Sequence, residues 1–150
     1  MPPEPLSLPG TVEHNLLPWR LTGGVDKITN ETIEQVLKHV YLRMHIHNSG
    51  GLQIPMEDLK LSEGQKTQFA MARLVFHHLH YENKIVLMDE PTGGLDDAMR
   101  LHLDQLIENY FEGSTVLTVS RDPESITHAD VVFYLEEGEV RKAPSNQVVL

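Results

Sequence analysis

Cysteine is absent from the chain. That excludes a disulfide framework and any thiolate metal site. Basic residues are scarce: 12 lysines and arginines stand against 22 aspartates and glutamates, a formal net charge of −10. A nucleic-acid-binding face needs clustered positive charge, so no nucleic-acid partner is expected. No apolar run approaches the ~20 residues of a transmembrane helix. Prolines 2, 3 and 5 stand where a signal peptide would carry its apolar core. The expectation is a soluble, intracellular chain that meets a membrane only through a partner. A G-x-x-x-x-G-K-S/T loop is also lacking. The backbone cradle and lysine that such a loop offers to nucleotide phosphates are therefore missing from this sequence.

What is present suits one globular domain. The length is 150 residues and 40% of them are hydrophobic, which argues against disorder. The stretch from Leu61 to Asp96 organises the rest. Ser62 and Gln65 have the spacing of a capping box at a helix start. The free amides of such a first turn, backed by the helix dipole, attract an anion, and Gly64 leaves room for close approach. A bare cap is the alternative from these residues alone. Lys84 to Met88 then reads as a short parallel strand buried on both faces. It ends in Asp89 and Glu90, two carboxylates at the carboxyl end of a strand, where open α/β sheets put their chemistry. Such a pair is suited to holding Mg²⁺ and polarising a water.

Leu61-Ser62-Glu63-Gly64-Gln65, Ala70-Met71-Ala72-Arg73, Ile85 to Glu90 and Gly93-Gly94-Leu95-Asp96 occur in that order. Together they resemble the ATP-binding-cassette family, the nucleotide-binding domains of ABC transporters. The first looks like the signature motif, with Glu63 in place of a glycine. The second matches the signature helix, the third the Walker B strand with its catalytic glutamate, and the fourth the D-loop. The run from Pro2 to Val12, followed by Glu13-His14-Asn15, resembles the Q-loop of ABC exporters and the helix after it. Pro3 stands at the family's glutamine.

The flanks agree with this order. Ile33, Val36, Leu37, Val40 and Tyr41 make one helix stripe, with Thr29 as cap and Glu31 in the first turn; this helix is expected to end before Asn48. The signature helix is apolar nearly all round over Phe69 to Phe76, as a buried helix is. His77, His78 and His80 at its end read as a solvated helix terminus, since no acidic ligand stands at metal-site spacing. Met99, Leu103, Leu106, Ile107 and Tyr110 form the stripe of a second helix, stopped by Gly113. Thr115 to Val119 is a second apolar strand, which completes a right-handed β-helix-β unit. Ser120 follows where the family has its switch histidine. Val131 to Arg141 closes the chain with a hairpin.

The resemblance implies an α/β fold: a partial P-loop NTPase (RecA-like) core with parallel strands, plus the ABC helical subdomain. Residues 1–60 correspond to a Q-loop remnant and the helical subdomain. Residues 61–150 correspond to the C-terminal part of the nucleotide-binding core. The chain would be the C-terminal half of a cassette, with ATP and Mg²⁺ bound only beside the missing half or a partner cassette. It implies that Ser62, Glu63, Gly64 and Gln65 serve the nucleotide of a second nucleotide-binding domain. Glu90 is then catalytic, Asp89 holds Mg²⁺ through water, and Gly94, Leu95 and Asp96 couple the sites. The transmembrane domains of a transporter are the other implied partner, at the cytosolic face of a membrane. The alternative is a degenerate, non-hydrolytic module that lends its signature to an active cassette. A chromosome-maintenance ATPase of the same superfamily is disfavoured by the acidic balance and the lack of long heptad arms. On either transporter reading the missing half should leave apolar surface uncovered, on the two strands and at Phe69, Leu74, Val75 and Phe76.

Overall fold

The computed structural model describes residues 7–22, 26–93, 95–121 and 129–143. Pro3 and Gly94 lie outside the described residues. The chain divides into two compact units, Met1–Thr118 and Val119–Leu150.

The first unit opens with helix α1, Val12–Leu16, capped by Thr11, whose hydroxyl accepts the His14 amide at 3.1 Å. A 3-10 turn over Pro18–Thr22 follows. Helix α2, Asn30–His39, has Thr29 as its cap and Glu31 in its first turn, and buries Ile33, Val36 and Leu37. It stops earlier than its stripe promised. Tyr41 takes a left-handed conformation, φ +59°, and is 60% exposed. Its amide reaches the Lys38 carbonyl and the Leu42 amide reaches Leu37, the paired bonds of a Schellman ending. Helix α3, Arg43–Asn48, then starts afresh.

Helix α4, Glu63–Tyr81, is the longest element. Residues 68 to 72 are buried without a break, so the helix is covered on every side along this turn. It packs on α1 and α2. Phe69, Val75 and Phe76 are all buried; the expectation that they would lack cover was wrong, because α1 and α2 already supply it. The helix terminus is not simply solvated either. His80 stacks on Trp19, ring centroids 4.8 Å apart.

Strand β1, Ile85–Asp89, pairs in parallel with β2, Thr115–Val119, and helix α5, Asp97–Tyr110, makes the crossover. The fold is thus mixed α/β, as expected. The burial of β1 corrects the reading of a doubly covered strand. Val86 and Met88 face the core, whereas Ile85 is 67% and Leu87 60% exposed. On β2 only Val116 packs on the core, while Leu117, Thr118 and the strand's two end residues are exposed. The helices of this unit cover one face of the pair. Gly113, φ +77°, makes the left-handed turn out of α5 that a side chain would resist.

The second unit holds a hairpin, β3 (Phe133–Glu136) and β4 (Glu139–Lys142), antiparallel with Leu135 opposite Val140. Glu137 and Gly138 both have positive φ, as a two-residue turn matched to strand twist needs.

Candidate functional site

The amino end of α4 carries the signature-like residues. Ser62 accepts the Gln65 amide at 3.3 Å, and the Gln65 side chain accepts the Ser62 amide at 2.9 Å. The capping box is therefore complete. Glu63 lies outward and pairs with Lys66 at 2.6 Å. That lysine offsets the negative charge which replaces a glycine in the family pattern. Gly64 borders the loop after β1: a Cβ added there would sit 3.4 Å from Leu95 Cδ2. The signature-like turn and the D-loop-like residue thus adjoin within one unit. A second tie lies one turn on, where the Gln68 amide nitrogen approaches Met99 Sδ at 3.3 Å.

At the end of β1, Asp89 is exposed and Glu90 half-buried. Glu90 has φ +46°, a conformation that costs a non-glycine residue roughly 1–2 kcal/mol. Its carbonyl accepts the Gly93 amide at 3.1 Å, and Pro91 and Thr92 are buried beneath. Asp96 caps α5, accepting the Met99 amide at 2.9 Å. Asp96 three residues before the apolar Met99 was a legible cap signal that the sequence reading passed over. Helix α5 is tied in turn to α2. Tyr110 Oη lies 2.6 Å from His39 Nδ1, and His102 Nε2 donates to the His39 carbonyl at 2.6 Å. Burial raises the Tyr110 pKa, so this phenol keeps its proton. Ser120 follows β2 and belongs to the second unit.

One pair at the site escaped the sequence reading. Arg73 of α4 donates from Nε to the Asn15 carbonyl at 2.8 Å and lies 5.5 Å from the Phe69 ring centroid. Asn15 is fully buried and brackets the chain before it: Oδ1 accepts the Leu8 amide, while Nδ2 donates to the Leu8 and Thr11 carbonyls. The signature helix therefore holds the segment after the Q-loop-like run. The signal was a lone arginine in an otherwise apolar helix turn, which needs buried acceptors. Burial lowers the Arg73 pKa. Arg73→Met should cost about 1.5–3 kcal/mol, the worth of hydrogen bonds from a charged donor. Urea denaturation measures this. A loss below about 0.5 kcal/mol, that of an ordinary surface change, would mean the bond carries no stability.

Among the described residues no helix is long and apolar enough to cross a membrane. Among them, too, no three metal-ligating side chains gather. Asp89 alone offers an exposed hard oxygen donor at the strand end, the donor type that suits Mg²⁺ completed by phosphates and water.

A parallel strand pair with a crossover helix, with acids at the strand end and a capped helix, places the chain in the mixed α/β class. No protein-family model matches the chain. It is 45% identical over 83 residues to the aliphatic sulfonates import ATP-binding protein SsuB of Pectobacterium atrosepticum, a match spanning 53% of this chain and 30% of that protein. It is 33% identical over 135 residues to SsuB 1 of Shouchella clausii, 85% of this chain and 50% of that protein. It is 27% identical over 149 residues to the ABC transporter ecdL of Aspergillus rugulosus, 99% of this chain and 9% of that protein. The chain spans at most about half the length of these relatives. These relatives are ABC transporter ATP-binding proteins, and the match is that of a partial ABC ATP-binding domain.

Proposed function

We propose that the chain supplies the signature, the strand-end acids and the D-loop of an ATP-binding domain that couples ATP binding and hydrolysis to transport, and that it is inactive alone. The observation that supports this is the nearness of Leu95 to Gly64, where an added Cβ would stand 3.4 Å from Leu95 Cδ2, so that the signature-like turn and the D-loop-like residue are neighbours. Ser62 and the amides of Glu63, Gly64 and Gln65 would meet the phosphates of a nucleotide held by a second nucleotide-binding domain. Glu90 would polarise the attacking water, and Asp89 would hold Mg²⁺ through water, the ion supplying charge neutralisation when bound. Gly94, Leu95 and Asp96 would relay between the two sites. Residues 1–60 and 61–150 keep the roles of helical subdomain and core half. The names of the bacterial relatives, which are import ATP-binding proteins, support transmembrane partners and a place at the cytosolic face of a membrane. Ser120 at the switch position favours a second reading, a non-hydrolytic module that lends its signature to an active cassette.

Calorimetric titration of the 150-residue chain with Mg-ATP should give no saturable heat. A micromolar dissociation constant that survives Glu90→Gln would overturn inactivity of the lone chain, since it would reveal a phosphate cradle elsewhere in the sequence.

A further inference from the structure

The three histidines at the end of α4 have no part in the function above. His80 lies against Trp19, the chain's single tryptophan, with planes only 22° apart. His80 Nδ1 is buried and has no hydrogen-bond partner among the described residues, 3.7 Å from Asp26 Oδ1. At that separation no hydrogen bond forms. Asp26 is otherwise engaged: it accepts the Ile28 amide at 2.9 Å, pairs with Arg20, and receives the Trp19 indole at 3.5 Å. We propose that His80, Asp26 and Trp19 form a proton-operated staple that fastens the carboxyl end of the signature helix to the segment around Asp26. As neutral imidazole with its proton on Nε2, His80 leaves the buried Nδ1 as a bare acceptor facing a carboxylate. As imidazolium, both ring nitrogens are donors, and a small rotation brings Nδ1–H onto Asp26 Oδ1 as a charge-assisted bond.

The surrounding charges decide whether this closure holds. Arg20 on the 3-10 turn opposes a cation, but Asp26 and Glu13 already pair with it. Lys27 is bound to Glu82 at 2.8 Å beyond the helix end, with Lys84 nearby. On α4 itself stand His77, His78 and Tyr81. Burial first, then the charges of His80 and His78, lowers the His77 pKa, so His77 takes up its proton at lower pH than an ordinary imidazole. Burial would raise the Asp26 pKa, but the Ile28 amide and Arg20 outweigh it and hold the carboxyl below its ordinary value. Asp26 is thus an anion throughout the histidine range. The helix carboxyl end favours a cation as well.

The staple reports on itself, because an imidazolium in ring contact quenches indole emission. Trp19 fluorescence of the 150-residue chain, measured at submicromolar concentration from pH 8 to pH 5, is expected to fall in one step. His80→Gln should abolish the fall, His77→Gln should retain it, and Asp26→Asn should move it to lower pH. The ¹⁵N shifts of the His80 ring in the unaltered chain give a reading that needs no variant: Nδ1 should gain a slowly exchanging, hydrogen-bonded proton over the same range. An unchanged fall in His80→Gln, or a wild-type ring whose Nδ1 gains no such proton, would overturn the proposal.

Discussion

With a phosphate-loop half supplied, Ser120→His is expected to raise ATP turnover at this chain's own site by about 10²–10³. That is the worth of one well-placed electrostatic contact to a transition state. On the proposed function Ser120, which follows β2 in the sequence, stands at the family's switch position. A serine hydroxyl is short, and a histidine at that position extends a ring nitrogen that can donate to the γ-phosphate. Pro3→Gln should add to the gain, because proline offers no side-chain donor or acceptor for metal or water. Steady-state phosphate release from the single and double variants measures both effects. No gain from the double change would place these residues away from the reacting atoms and leave the signature-lending module as the better account.

The second large effect is on the sheet. Ile85, Leu87 and Leu117 are each more than half exposed on adjacent strands. Burial of one such side chain is worth roughly 1.5–3 kcal/mol, and a domain is stable by only about 5–15 kcal/mol. Three uncovered groups therefore approach the whole stability margin. The isolated chain should bind a hydrophobic dye strongly and self-associate at high concentration. Ile85→Thr with Leu87→Thr should remove most of the dye signal while leaving the helices intact by circular dichroism. Undiminished binding by that pair would move the exposed surface elsewhere. The same pair should weaken complex formation with a phosphate-loop half, since it takes away the face to be covered.

The local elements were legible in the sequence because their causes are local. Thr29 and Ser62 announced helix starts through caps three residues from their partners, and the run from Val131 to Arg141 announced the hairpin. Three features were not. Helix α2 ends at Tyr41 in a left-handed ending with no glycine or asparagine to mark it. The run Ile85 to Met88 is apolar throughout, and an apolar run states what a strand wants buried, not what the chain has to bury it with. Asn15 and Arg73 stand 58 positions apart, and Leu95 comes near Gly64 across a whole helix and strand. Such pairings are set by how α1, α4 and the β1 loop come together. At the site, the acids and the cap were readable as residues, whereas the left-handed turn at Glu90 leaves no trace in composition.

The central claim is that this chain is the signature-bearing part of a divided nucleotide site. Co-expression with the N-terminal half of a related sulfonate-importer ATP-binding protein tests it most directly, by size-exclusion chromatography followed by titration with Mg-ATP. The account predicts a one-to-one complex that binds Mg-ATP saturably, when neither half does so alone, and that loses dye binding at Ile85 and Leu87. A chain that stays a dye-free monomer, melts cooperatively by itself and never co-elutes with the phosphate-loop half would contradict it.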